Sequence, residues 1–349
     1  MSDVDRRTQN KRWTHRRMAG FAVVLALLVW AGSTFAVTWA LTHRGTARRP
    51  ETPLVLPQVS RTDLTLTTSD GETLGAWLFP GRADAPAVVA MHGNNGSRGK
   101  SRTTIDLLVK KGCTVLAVTL RAHGDSSGEL NDIGWSARKD LVAAVDCLET
   151  HAPGRPIAIC GRSMSSAAAI FAARELGSRV DGYWLEQPYN SLETAAWRRL
   201  QQQLPPVFDA AAFTGMRLWG QVLLPVSLSE IAPCQCVCDI PEQCPIVILS
   251  GDADHNLPLP DVQEVFGQVK NRAKLVVFRG AGHVGMPESD LRLYEREMDE
   301  FLSAVRVRGG SELQSIVVVG RKAGQRAVER LRGDSATRHH CRTDVRMNR

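Results

Sequence analysis

The sequence has no internal repeat and no C-x-x-C pair, so neither a repeat architecture nor the common zinc knuckle is written into it. Its central part also lacks an excess of positive charge. Residues 1–49 hold nine Lys or Arg against Asp3 and Asp5, and residues 306–349 hold eleven against four acids, so each end carries a net +7. The whole 349-residue chain is only +7, which leaves residues 50–305 at −7. A nucleic-acid-binding fold gathers basic residues on its own surface, and this distribution excludes nucleic acid as the expected partner.

Charge of either sign is missing altogether from Met18 to Thr42 (MAGFAVVLALLVWAGSTFAVTWALT). As a helix this run spans about 37 Å, enough to cross a bilayer core of about 30 Å with some tilt. Six Lys or Arg precede it and only Arg44, Arg48 and Arg49 follow closely. That bias predicts a membrane helix at 18–42 with a basic cytoplasmic N-terminus at 1–17 and the main domain outside. A cleaved signal peptide, leaving a secreted domain, is the rival reading, with Thr34-Phe35-Ala36 or Thr38-Trp39-Ala40 as loose processing sites. The apolar run is longer than the usual signal core and favours the anchor.

Residues 43–60, with three prolines among charges, read as a linker. From 61 to 305 apolar strands alternate with helical patterns. DLTLTT and ETLGAWLF flank Ser69-Asp70-Gly71 as a hairpin, and AVVAM, TVLAVTL, PIAICG, VDGYWLE, PIVILSG and KLVVFRG follow as short continuous apolar runs. Helices are expected near 101–111, 136–150, 164–176, 259–270 and 289–305, the last with Leu291, Tyr294, Met298, Phe301, Leu302 and Val305 at a 3.6 period. Apolar strands separated by helices require a mostly parallel sheet covered on both faces, an α/β class. Residues 190–233 interrupt the alternation and read as a small helical cap. Residues 306–349, basic and rich in Arg, Gly and Ser around one apolar patch, IVVVG, read as a disordered tail.

Chemistry concentrates at the strand ends. Gly161-Arg162-Ser163-Met164-Ser165 follows a strand and opens a helix, close to the G-x-S-x-G elbow that lifts a serine hydroxyl above a sheet. Five such residues alone describe an ordinary helix N-cap equally well; the surroundings decide. Upstream, His92-Gly93-Asn94-Asn95-Gly96-Ser97 is a loop able to aim a backbone N–H at an oxyanion, with Asn94 and Met164 as the expected donors and His92 as a structural residue. Downstream, GDADHNLP offers a carboxylate and GAGH a base, His283. An ester-cleaving serine needs both, and the order Ser, acid, His is the one this elbow uses. Asp252, Asp254 and Glu186 are the candidate acids, while His123 and His255 read as loop residues.

Over residues 61–305 the chain resembles the α/β-hydrolase superfamily, in its serine aminopeptidase-like and BEM46-like branch of small-cap hydrolases. The resemblance rests on HGNNGS, LRAHGDSSG, GRSMS, LEQPYNS, GDADHNLP and GAGH in the family's order. It implies the α/β-hydrolase fold and Asp254 as the acid, set by Gly251 and Pro258. It implies a triad of Ser163, Asp254 and His283, with no metal and no organic cofactor. Two positions depart from the pattern: Ser165 stands at the second elbow glycine and Thr119 at the usual Asp before LRAHG, which implies a weakened structural hydrogen bond there.

The expected activity is cleavage of an acyl ester or thioester of a small molecule or lipid; a peptidase using the same triad on a short peptide is the alternative, and a non-catalytic binding protein is a second. Trp197, Phe208, Phe213 and Trp219 in the cap are candidate lining for an apolar acyl pocket, although aromatics in a cap are more often its own packing. Of the cysteines, Cys113, Cys147 and Cys160 read as small core residues; Cys234, Cys236, Cys238 and Cys244 admit disulfides, thiols or a metal site.

Overall fold

The alternation of strand and helix becomes one sheet of nine strands in the computed structural model, which describes residues 3–45, 47–57, 59–306 and 316–319. The strands are β1 (Thr62–Thr67), β2 (Thr73–Phe79), β3 (Ala87–Met91), β4 (Thr114–Val118), β5 (Ile157–Arg162), β6 (Gly182–Glu186), β7 (Ile246–Gly251), β8 (Ala273–Phe278) and β9 (Ile316–Val319). They lie in the order β1-β2-β4-β3-β5-β6-β7-β8-β9. The hairpin pairs antiparallel, β2 meets β4 antiparallel, and every later pairing is parallel.

The helices are α1 (Asp3–Thr42), α2 (Arg102–Lys110), α3 (Arg138–His151), α4 (Met164–Leu176), α5 (Leu192–Gln203), α6 (Phe208–Leu223), α7 (Pro233–Cys236), α8 (Leu259–Val269), α9 (Met286–Ser289) and α10 (Leu291–Arg306). Alternate side chains of a strand point to opposite faces, so the all-apolar strands feed two cores at once. Val89 and Met91 join α3, α4 and α8 on one face. Val88 and Ala90 join α2 and α10 on the other, where Trp184 meets Tyr294 edge-on at 5.3 Å. Each fully buried Val, Leu or Phe contributes about 1.5–3 kcal/mol relative to exposure.

Because β4 lies on one side of β3 and β5 on the other, the loops leaving β3 and β5 diverge and open a crevice at their carboxyl ends. The oxyanion-loop and elbow motifs are the two loops that border it.

Three regions differ from expectation. The apolar patch of the tail is strand β9, with Ile316 opposite Leu275 and Val319 opposite Phe278. A β-branched run satisfies backbone groups that β8 would leave open at the sheet edge, which pulls this segment into the fold. The rest of 307–349 lies outside the described residues. The linker is pinned to the domain: Leu54 and Leu56 are buried beside Trp77, and the Arg44 guanidinium donates to the carbonyls of Gly124 (3.2 Å), Ser126 and Gly128 (3.1 Å). Finally, the apolar segment continues an N-terminal helix from Asp3, of which His15–Thr42 is long and apolar enough to cross a membrane.

Candidate active site

Ser163 sits between β5 and α4 with φ 51° and ψ −110°, a sparsely populated conformation for any residue with a side chain and one that costs about 1–3 kcal/mol. Its neighbours hold it there. The Ser163 N–H donates to the Glu186 carbonyl (2.7 Å), and the Ser163 carbonyl accepts from Ala167 N–H (3.1 Å). A Cβ on Gly161 would lie 2.7 Å from the Ser165 carbonyl oxygen, so only glycine allows the strand to pass the helix so closely. Ser165, the departure from the elbow pattern, is buried and ties the turn: its hydroxyl accepts from Arg162 N–H (2.7 Å) and donates to Arg162 O (3.1 Å). Among the described residues the Ser163 hydroxyl has no hydrogen-bond partner.

The loop after β3 is tied down from several sides. Gly96 N–H donates to the Gly93 carbonyl (3.1 Å), and Asn95, at φ 56°, donates its N–H to His123 Nε2 (3.2 Å). Asn131 Nδ2 donates to Asn94 Oδ1 (2.8 Å). The N–H groups of Asn94 and Met164 meet no protein acceptor among the described residues. Met164 is also the first residue of α4, whose amide end favours an anion.

His92 supports this loop from below. Its Nδ1–H donates to the Gly93 carbonyl (2.7 Å) while Nε2 accepts from Leu120 N–H (3.0 Å), a pair that only the neutral ring makes. Burial pushes its pKa down to about 3, with the neighbouring His123 a smaller cause. In the unfolded chain it protonates near 6.5. Stability from His92 is therefore complete above pH 6.5 and lost as pH falls toward 3, by up to ~1.4 kcal/mol per pH unit. Urea midpoints between about pH 7 and 4.5 are expected to fall more steeply for the wild type than for His92→Gln, whereas parallel curves would remove His92 as the cause.

The expected acid and base, Asp254 and His283, meet directly. His283 Nδ1 lies 2.8 Å from Asp254 Oδ2, with the imidazole about a quarter exposed and the carboxylate buried. Asp254 Oδ1 accepts from the N–H groups of Asn256 (2.8 Å) and Leu257 (3.0 Å), and Oδ2 from Gln187 Nε2 (2.7 Å). An ionised carboxylate bound this way accepts Nδ1–H from His283 and leaves Nε2 bare to take a proton.

The other candidates are occupied elsewhere. Asp252 is exposed and accepts from Gly280 N–H (2.6 Å), a tie between two strand ends. Glu186 pairs with Arg162 (2.7 Å) and accepts from Tyr294 Oη (2.6 Å) and Trp184 Nε1 (3.2 Å). His255 is exposed. The four cap aromatics do not form one wall: Trp197 and Phe213 pack on each other (5.1 Å), Trp219 turns to Phe35 of α1 (5.1 Å), and Phe208 is exposed. Thr119 does not weaken its loop, because its hydroxyl accepts from the Arg98 backbone (3.1 Å) and guanidinium (2.8 Å), and Arg98 grips Asp125 through both oxygens (2.6 and 2.7 Å). In the cysteine-rich loop, Cys244 donates to the Val180 carbonyl (3.1 Å) and Cys238 to that of Gln268 (3.6 Å).

Sequence reasoning passed over Gln187, Asn131 and the bonding of His123. Gln187, at φ 46° and fully buried, also donates to the Gly282 carbonyl (3.0 Å), so it joins the acid loop to the base loop. The LEQPYNS motif was its only signal.

The profile of the alpha/beta hydrolase family matches residues 87–296, which include Ser163, Asp254 and His283. The chain belongs to this family. The hydrolase is 24% identical over 310 residues to an uncharacterized protein of Mycobacterium tuberculosis, covering 84% of this chain and 99% of that one. It is 24% identical over 196 residues to an uncharacterized membrane protein of Saccharomyces cerevisiae, covering 56% and 63%. Among solved structures it resembles the esterase Pf2001 of Pyrococcus furiosus, with TM-score 0.58 and 23% identity over 76% of the hydrolase and 100% of the esterase. The alpha/beta hydrolase GrgF from Penicillium is similar at TM-score 0.53 and 22% identity, over 70% and 98%. At these identities the structural likenesses establish the fold.

Proposed function

We propose that the hydrolase cleaves acyl esters or thioesters through an acyl-enzyme on Ser163, held at a membrane by α1. The observation that supports the reading is the His283–Asp254 pair at 2.8 Å; the strained elbow at Ser163, at the end of another strand of the same sheet, adds to it. His283 Nε2 takes the Ser163 proton as Oγ attacks the carbonyl carbon. The N–H groups of Asn94 and Met164 hold the oxyanion, and His283 returns the proton to the departing alcohol or thiol. Water then attacks the acyl-enzyme by the same route and frees the acid. The esterase activity of the Pyrococcus furiosus neighbour supports this substrate class. Membrane attachment is supported by the apolar helix and by the yeast relative being a membrane protein. The basic N-terminal flank orients it with the N-terminus cytoplasmic and the hydrolase domain outside.

A fluorophosphonate probe, which reacts with activated serine hydroxyls, tests the reading. Wild type is expected to label and Ser163→Ala to remain unlabelled; undiminished labelling of the variant would overturn it.

A further inference from the structure

The relation of α1 to the cap carries a consequence for where substrate comes from. From Met18 to Val29 the apolar side chains of α1 are largely exposed: Met18 is 63%, Phe21 70% and Leu28 65%. From Trp30 onward the helix has a partner, α6. Trp30 Nε1 donates to the Ala211 carbonyl (3.0 Å), and Trp219 Nε1 donates to the Ala31 carbonyl (3.1 Å) and Thr34 Oγ1 (3.2 Å). Thr34, Thr38 and Thr42 form a buried stripe, each hydroxyl donating to the carbonyl four residues earlier. A Cβ on Gly215 would fall 2.5 Å from Thr34 Oγ1, so the helices approach as closely as small residues permit, the way helices pack in lipid.

Length then decides depth. If hydrocarbon begins at Met18, directly after Arg16 and Arg17, the unpartnered stretch to Val29 covers only about 18 Å of a core about 30 Å thick. A span across the whole core needs about 20 residues and reaches about Val37. The contacts at Trp30, Ala31, Thr34 and Phe35 fall within that length, which would put α6 at hydrocarbon depth beside α1.

The outward face of α6 suits that medium. Phe208 (68% exposed), Leu218 (52%) and Val222 (72%) are uncovered, with Val207 (78%) just before the helix; Gln221 is an exposed amide among them, and Thr214 donates its hydroxyl to the Ala210 carbonyl (2.8 Å). Arg217, at the margin, is paired with Glu193 (3.2 Å). Behind α6, Phe213 packs on Trp197 of α5, and α5 is seated on the acid loop through Arg199 to Asn256 Oδ1 and Gln202 to the His255 carbonyl. One helix therefore separates the exposed apolar stripe from the loop that holds Asp254.

We propose that α6 is immersed in the leaflet on the domain's side and that the substrate is a long-chain acyl ester drawn from that leaflet beneath the cap. The proposal rests on the anchored-hydrolase reading above. Two measurements on the full chain in phosphatidylcholine vesicles test it. With the photo-crosslinker p-benzoylphenylalanine placed at Leu218, and separately at Leu25, lipid adducts are expected at both. An adduct at position 25 alone overturns the immersion of α6, and adducts at neither overturn the membrane span itself, whether or not the protein hydrolyses esters. Leu218→Asp/Val222→Asp is expected to lower kcat/KM for a vesicle-borne long-chain ester by about tenfold or more, with soluble p-nitrophenyl acetate unchanged within about twofold. An equal fall on both esters, or no fall on either, overturns the leaflet route.

Discussion

Ser163→Ala is expected to lower turnover of an activated acyl ester by roughly 10⁵-fold or more, because the proposed mechanism loses its attacking atom. The loss belongs in kcat. The substitution leaves the cleft and the Asn94 and Met164 N–H groups of the proposed oxyanion hole untouched. Alanine fits the same backbone: the turn is held by the Glu186 carbonyl, the Ser165 hydroxyl and Gly161, none of which uses the Ser163 hydroxyl. The variant is therefore expected to melt within a few degrees of the wild type. A matched fall in stability and activity would point to a structural residue and away from a nucleophile.

Asp254→Asn is expected to cost about 10⁴-fold in kcat, while Asp252→Asn stays within about threefold. The difference follows from what each carboxylate faces. Asp254 receives Nδ1–H of His283, Gln187 Nε2 and two backbone N–H groups, so every neighbour is a donor. An amide NH2 there confronts a donor in either orientation, and the imidazole turns to the tautomer that cannot accept the serine proton. Asp252 accepts one N–H, from Gly280, at an oxygen that asparagine keeps. Steady-state rates on a p-nitrophenyl ester separate the two, and the reverse ranking would move the acid to Asp252.

Much of this was legible in the chain because apolar runs and strand-end motifs are local signals. The helix expected at 164–176 is the helix observed, since Ser163 and the small residues after it mark its start and Gly177 its end. The order of elbow, acid and base needs only the sequence. What stayed hidden was bonding between residues far apart: Gln187 reaches Asp254 across 67 positions and Asn131 reaches Asn94 across 37, and no spacing announces either. Ser165 stands out in the sequence only as a departure at the second elbow glycine, yet its hydroxyl closes the turn. The seam between α1 and α6 was invisible for another reason. Thr34, Thr38 and Gly215 look like ordinary members of apolar helices until the helices lie together. Trp219, a candidate for lining an acyl pocket, faces that seam.

Peptide mapping after fluorophosphonate treatment shows whether Ser163 is the activated nucleophile proposed for this alpha/beta hydrolase. A single phosphonyl adduct is expected, on the peptide that contains Ser163, formed by the wild type and lost in His283→Ala. An adduct on another serine, or no adduct on a folded wild-type chain, would contradict it.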